Sequence, residues 1–390
     1  MNIDFSFGVR TDSFSSVYPA LNHHILNFGS KRNSRNGVVN EIMDFKTQLT
    51  NPYRRCVGGC CRDINIFFLL AEAMWIAAGR NDVEFLSIFN ERMRDFSDDG
   101  VVFHAPYGWR LRHWGVPTES SMFIKKDGFD QVANAIRILS RDPDSRQVVM
   151  SIWNPDIDLG YKTKDLPCND MVMLKIRDGR LITTIANRSN DLHWGLPTNI
   201  FQFSFLTELM SLALGVKLGT QTHNSQSLHV YEWNEIAKTM ERCFTSGDVF
   251  NLYSDSVGGS ERYIDFKFDH DVSVNRLREI DNVLNIIINN ILYIHRGGVE
   301  NEDEIMIVKD SSFYLYDVYQ YLKIYIYYKM NLQSSENKNA LRIDCLSKIS
   351  SIAPHNALCF GKTWDVSILA KNFFVKRIGD KVNFEYLGKL

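Results

Sequence analysis

Cys168 follows a proline directly, in Leu166-Pro167-Cys168-Asn169-Asp170, at the mouth of a strand-like run. Proline stiffens the backbone there, and a thiolate held on a stiff backbone is a soft nucleophile suited to carbon electrophiles. A lone cysteine also serves as a small buried hydrophobe, so its neighbours decide. Arg188 and Ser189 come next. An arginine beside a hydroxyl makes a phosphate-binding pair, and its charge also favours a nearby thiolate. Asp191, Gly195, Pro197 and Asn199 then crowd polar and turn-forming residues in front of an apolar helix, a placement that suggests a ligand pocket. Glu72 is the other conspicuous residue, a single acid in the otherwise apolar stretch 64–78. A buried carboxylate is costly unless it is paired, hydrogen-bonded or protonated, so both a structural ion pair and a tuned acid remain open for it.

These residues need elements to position them. Stretch 64–78 is apolar on nearly every side and reads as a buried helix stopped by Gly79. Segments 147–153, 171–176 and 181–187 read as strands, the last two joined across Asp178-Gly179, a two-residue hairpin signal. Helical character resumes at 199–214. Further on, 283–294 and 313–330 read as amphipathic helices that pack together. Leu315, Val318, Leu322 and Tyr325 share one face, and Gly297-Gly298 stops the earlier helix. Asp317, Gln320, Lys323 and Lys329 make 313–330 too polar to span a membrane. Strand clusters alternate with long buried helices without a regular βαβ rhythm, so the expected class is α+β. The Ser- and Gly-rich stretch 253–262 is the preferred boundary between a core and a C-terminal extension, and 334–339 is a second candidate linker.

The chain has 390 residues, with 44 Lys+Arg against 46 Asp+Glu and a net charge of −2; hydrophobic residues make up 45% and charged residues 23%. Those are globular proportions, which exclude disorder as the main state. A near-neutral chain lacks the excess positive charge of a protein that wraps duplex DNA, so no direct nucleic-acid partner is expected and any anion site is a local pocket. The seven cysteines include Cys56, Cys60 and Cys61 close together, but no paired C-x-x-C and no H-E-x-x-H occur. Neither a zinc site nor a disulfide framework is expected. The opening residues carry no apolar run, so neither a signal peptide nor a membrane anchor is expected, and the expected compartment is cytoplasmic.

The run Pro167-Cys168, a strand pair, Arg188-Ser189 with Asp191, Gly195-Leu196-Pro197-Thr198-Asn199 and His229-Val230-Tyr231 resembles the signature of the thymidylate synthase family, including its phage deoxypyrimidine hydroxymethylase branch. Upstream, Arg35-Asn36-Gly37 resembles the family's phosphate-loop arginine, Glu72 with Trp75 its glutamate helix, and Ala105-Pro106-Tyr107-Gly108 its tyrosine-glycine segment. Asp144-Ser145-Arg146 resembles the stretch whose arginines reach the phosphate in the neighbouring subunit. The resemblance covers roughly residues 18 to 235 and implies a thymidylate-synthase-like mixed sheet packed with long buried helices. A core over 1–255 would then be followed, over 256–390, by its completion and a mainly helical extension.

By that resemblance Cys168 attacks carbon 6 of a pyrimidine, Glu72 relays protons, and Tyr107 and Asp191 complete the catalytic set. Arg35, Arg188 and Ser189, with Arg146 from the partner of a homodimer, hold a 5′-monophosphate. His229 and Tyr231 meet the sugar, and Asn199 reads the base. Asp191, Trp75, Trp194, Gly195 and Phe96 face the one-carbon donor, 5,10-methylenetetrahydrofolate. An amide at Asn199 favours uracil, since cytosine-specific members are expected to carry a carboxylate there.

Several departures separate the branches. Asn169 stands where the family has histidine and Gln147 where it has a second interface arginine, while Met93 and Phe96 occupy positions expected to hold tryptophans. Thr198 replaces an aromatic, and the family's closing C-terminal tail is not recognisable at 386–390. A loosened aromatic wall admits water to the reaction. The resemblance therefore implies a deoxyuridylate hydroxymethylase making 5-hydroxymethyl-dUMP for modified phage DNA. The alternatives are thymidylate synthase, a dCMP or CMP hydroxymethylase, and a catalytically silent nucleotide-binding or assembly protein.

Overall fold

Apolar runs separated by turn residues divide the chain into one mixed sheet and the helices packed on it. In a computed structural model, residues 8–56, 64–116, 128–246, 264–332, 335, 337–359, 373–374 and 377 are described. The order begins β1 (Gly8–Thr11), α1 (Phe14–Phe28), β2 (Ser30–Ser34), β3 (Gly37–Leu49), α2 (Ile66–Ala77), α3 (Val83–Phe89), a 3₁₀ turn (Glu91–Phe96), α4 (Tyr107–Arg112) and α5 (Gln131–Arg141). It continues with β4 (Val149–Ser151), α6 (Pro155–Asp158), β5 (Asn169–Arg177), β6 (Arg180–Asn187), β7 (Asn190–Asp191), α7 (Leu196–Leu214), β8 (Lys217–Tyr231) and α8 (Glu235–Ser246). The last elements are α9 (Ser273–His295), α10 (Glu302–Ser311), α11 (Phe313–Asn331) and α12 (Lys338–Cys359).

The sheet runs β1-β3-β8-β6-β5-β4, with β2 beside β3 and β7 beside β8. The pairs β3·β8, β5·β6 and β4·β5 are antiparallel, whereas β6 runs parallel to β8. Asp178 and Gly179 adopt φ of 51° and 67°, the left-handed pair that a two-residue hairpin with native twist requires. That turn fixes the β5–β6 register as far as Met171 opposite Ala186, and a bulge between Asn169 and Met171 then shifts it by one residue and sets Asn169 opposite Asn187. The chain is thus of the expected α+β class.

The helices at 64–78 and 199–214 are present as α2 and as α7, which starts earlier because Pro197 fits a first helical turn. Both are buried on nearly every side. Segment 147–153 forms a strand only over Val149–Ser151: the N–H groups of Ile152 and Trp153 both donate to the Asp170 carbonyl, which ends the regular ladder. The helix at 283–294 is part of the longer α9, and 313–330 matches α11. Leu315, Val318, Leu322, Tyr325, Ile287 and Ile291 all lie in one apolar cluster with α2 and α7.

Stretch 253–262, Cys60, Cys61 and 386–390 lie outside the described residues, as does part of 334–339. The chain that resumes at Ile264 enters the core immediately. Its N–H donates to Glu208 Oε1 at 2.8 Å, and the other Glu208 oxygen pairs with buried Arg55. Arg112 on α4 makes a bidentate pair with Asp281 on α9, at 2.8 and 2.6 Å, so the C-terminal helices brace the elements that hold the site. Among the described residues, no helix is long and apolar enough to cross a membrane.

The crossing of α4 on α2 matters most for the chemistry, because α4 begins at Tyr107 and α2 holds Glu72. A Cβ on Gly108 would stand 2.2 Å from the Ile76 carbonyl oxygen, a backbone atom that cannot swing aside. Gly108→Ala is therefore expected to push the helices apart and destabilise the protein by about 1–3 kcal/mol, read by urea denaturation.

Candidate active site

The β5–β6 hairpin brings the two chemically suggestive ends of the sequence together. Arg188, just past β6, donates its backbone N–H to the Cys168 carbonyl at 3.1 Å and its Nε to the Pro167 carbonyl at 2.8 Å. Its Nη2 lies 3.9 Å from Cys168 Sγ, and its guanidinium sits 5.7 Å from the ring centre of Trp153. Burial pushes the Cys168 thiol up, Arg188 and the more distant Arg35 pull it down, and Asp165 and Asp170 add to the rise. Burial also raises Asp170, to about 6. The resting thiol is thus protonated at neutral pH but stands beside a guanidinium that stabilises its anion.

Glu72 lies on α2, which packs with α7 in the main apolar cluster. Burial raises it to about 7, opposed by a hydrogen bond from the Gln202 side chain on α7. Although the residue as a whole is only half-buried, its Oε2 is sealed from solvent and has no hydrogen-bond partner. Among the described residues it forms no ion pair, and burial alone raises it. Tyr107 lies within hydrogen-bond reach of the Asn169 side chain and the Cys168 backbone, with its hydroxyl pushed well above the usual tyrosine value by burial. The loop before Cys168 is tied to this tyrosine segment, since Asp165 Oδ2 accepts the Ala105 N–H at 2.8 Å.

Between Cys168 and α7 runs a file of buried amides. Asn187 Nδ2 donates to Asn169 Oδ1, and Asn169 Nδ2 donates to Asn199 Oδ1 at 3.2 Å. Asn199 Nδ2 then donates to Asn190 Oδ1 at 3.4 Å, and Asn190 Nδ2 to Ser225 Oγ at 3.1 Å. From sequence Asn199 stands out as a site residue and Asn169 only as a departure from the family's histidine. Asn169, Asn187 and Asn190 are strand residues of a type that strands disfavour, and that composition is the signal that could have revealed them.

The nucleotide-binding set is partly assembled. Ser189 is half-buried beside Arg188, and exposed Arg35 lies in the β2–β3 turn with Nη1 3.5 Å from the Thr163 carbonyl. His229 and Tyr231 on β8 make an edge contact at 5.4 Å, and pairing of Asp191 with His229 in β7·β8 brings the Asp191 turn to them. Arg146 is exposed and lies just before β4.

The folate set divides. Asp191 Oδ1 accepts the N–H groups of His193 and Trp194, at 2.7 and 2.6 Å, and so shapes the turn that presents Trp194. Gly195 is required there, because a Cβ would meet Asn190 Oδ1 at 2.8 Å. Trp194 is 49% exposed and Phe96 50% exposed, two flat apolar faces of the kind a pterin and its aryl group stack on. Trp194 also contacts Trp233, whose Nε1 donates to the Asn36 carbonyl, a rim residue that sequence reasoning missed. Trp75 is a correction. It is 4% exposed, its indole N–H is held by the Asp82 carbonyl at 3.1 Å, and its ring meets Phe103 edge-on, so it is a core residue with no face for a cofactor.

A half-buried thiol beside an arginine, with a carboxyl sealed on a neighbouring buried helix, suits one class of enzyme. The thymidylate synthase family model matches residues 16–257, and the chain belongs to that family; it is a pyrimidine nucleotide one-carbon transferase. The curated relatives sharpen the comparison. The chain is 35% identical over 306 residues to a deoxyuridylate hydroxymethyltransferase of Bacillus phage SP01, covering 78% of this chain and 76% of the relative. It is 38% identical over 227 residues to one of Pseudomonas phage M6 (57% and 61%) and 30% identical over 216 residues to one of Delftia phage PhiW-14 (52% and 56%).

Glu72 gives a signed pH prediction. Because the folded value of about 7 exceeds the ordinary 4.5, the native protein holds a proton that the unfolded chain releases across that window, and stability falls as pH rises through it. Glu72→Gln is expected to be more stable than the parent at pH ~8, by up to roughly 3 kcal/mol, with the gain vanishing below pH ~4.5 and turnover abolished at both. Denaturant titration at the two pH values measures it.

Proposed function

We propose that this enzyme converts dUMP to 5-hydroxymethyl-dUMP. Cys168 with Arg188 beside its sulfur is the observation that supports the chemistry. Cys168 Sγ bonds to carbon 6 of uracil, and the displaced π electrons make carbon 5 nucleophilic. When bound, 5,10-methylenetetrahydrofolate, the family's donor, supplies a carbon at the oxidation level of formaldehyde. The exposed faces of Trp194 and Phe96 fit such a group. Carbon 5 gives up its proton, and departure of the Cys168 sulfur restores the ring double bond. Relative to dUMP, the product carries CH2OH in place of hydrogen, its oxygen coming from water, and tetrahydrofolate is released. Glu72, near half-protonated at neutral pH, can both give and take protons. Tyr107 holds the Asn169 side chain beside the nucleophile.

Water reaches the reaction because the rim is open. Phe96 is half exposed, Met93 packs inward against the core, and Thr198 turns its hydroxyl onto the Trp194 carbonyl at 2.9 Å instead of offering a ring. No aromatic wall over the new carbon is supplied by these three positions, which favours hydroxymethylation over methylation. The three phage relatives, each a deoxyuridylate hydroxymethyltransferase by name, support the same reading. Arg35, Arg188 and Ser189 are assigned to the phosphate, joined by Arg146 of a second copy in a homodimer. Its exposed position on a single chain suits that role. His229 and Tyr231 are assigned to the sugar, and the nucleotide pool served is cytoplasmic.

Weighing the nucleotide product after incubation with dUMP and methylenetetrahydrofolate tests this reading. A gain of one CH2O unit is expected, whereas a CH2 gain with dihydrofolate formed would make the enzyme a thymidylate synthase. Cys168→Ser is expected to lower turnover by at least about 10⁴-fold and to leave dUMP binding within an order of magnitude. Asn199→Asp is expected to raise kcat/KM for dCMP relative to dUMP, read by competition between the two nucleotides.

A further inference from the structure

Asn199 alone does not determine which base it reads. An amide offers an acceptor at one corner and a donor at the other, and rotating it by half a turn exchanges them. Uracil presents N3–H and O4, a donor and an acceptor, and cytosine presents N3 and N4–H2, the reverse. The sense in which Asn199 is held is therefore a choice between bases.

We propose that the buried file Asn187–Asn169–Asn199–Asn190–Ser225 fixes the sense of the Asn199 amide and so sets the preference for uracil, with Asn169, Asn187 and Asn190 as positioning residues. Every amide in the file donates toward Ser225: Asn187 to Asn169, Asn169 to Asn199, Asn199 to Asn190 and Asn190 to the Ser225 hydroxyl. Asn169, Asn187, Asn190, Asn199 and Ser225 are each at most 6% exposed, so water cannot substitute freely for a lost partner. Rotating Asn199 alone would set its NH2 against the NH2 of Asn169 and its oxygen against the oxygen of Asn190, two unmade bonds at once. The β5–β6 register that places Asn169 opposite Asn187 pins the upstream end. The file uses one lone pair and one hydrogen of the Asn199 amide, which leaves one of each for a pyrimidine edge.

The downstream end matters because it makes the file reversible. Ser225 can donate as readily as it accepts, so the whole file is able to run the other way if its upstream end demands it. A carboxylate accepts only, which makes Asn→Asp substitutions at different points opposite in effect. Asp at 169 can no longer donate to Asn199, so Asn199 must turn its NH2 toward it; Asp at 187 forces the same reversal from two amides away. Asp at 190 accepts from Asn199 and keeps the present sense. All three add one buried acid in the same neighbourhood, so a general disturbance would move them alike.

The inference rests on the reading that the natural base is uracil, which the wild-type comparison checks separately. The ratio of kcat/KM for dUMP over dCMP is measured for the wild type, Asn169→Asp, Asn187→Asp and Asn190→Asp, together with calorimetric binding of both nucleotides so that an inactive variant still reports. The wild type is expected to favour dUMP by about 100-fold or more. Asn169→Asp and Asn187→Asp are expected to cut that ratio by at least about tenfold, while Asn190→Asp stays within about threefold of the wild type. Equal shifts in all three variants, or an unchanged ratio in both Asn169→Asp and Asn187→Asp, would overturn the proposal while leaving the dUMP reading intact. A wild type that prefers dCMP would instead overturn that reading.

Discussion

The burial of α7 is the constraint on which the rest of the structure depends. This helix is enclosed on nearly every side, yet it carries Asn199, Gln202 and Glu208 into the interior, each with at most 6% exposure. Polar groups in such a place must find partners or lose several kcal/mol. Each therefore organises a different part of the molecule. Glu208 holds Arg55 and the chain resuming at Ile264, Gln202 bonds Glu72, and Asn199 joins the amide file beside Cys168. One buried helix thus links the segment that begins at Ile264, the Glu72 carboxyl and the amide file.

The same burial sets the electrostatics. A thiol and a carboxyl are both shifted toward their neutral forms by removal from water, while one guanidinium near the sulfur favours the anion needed for attack. A site of this kind holds its groups poised, with the acid titrating near neutral pH and the nucleophile ionising only with help from its neighbour.

The C-terminal helices are more than an appendage. Their apolar residues share the cluster of α2 and α7, and Asp281 anchors Arg112 at the end of the helix that begins with Tyr107. A second packed layer behind the candidate site is thereby supplied, and it braces the crossing of α2 and α4, where Gly108 meets the Ile76 backbone.

Local chemistry alone determined a good deal. The spacing around Cys168, Arg188, Asp191 and Asn199 marked the site, continuous apolar runs marked α2 and α7, and Asp178-Gly179 marked the hairpin, because nucleophiles, buried helices and tight turns each depend on residues close in sequence. Three things were decided only by tertiary structure. Trp75, three residues after Glu72, went to the core because the Asp82 carbonyl and Phe103 took its indole. Glu72 carries a raised pKa because burial is opposed, among the described residues, by a neighbouring amide and by no ion pair. The asparagines at 169, 187 and 190 gained a common function only when strand register and the packing of α7 set them end to end. An amide's role is fixed by what lies across space from it, and a linear sequence does not record that distance.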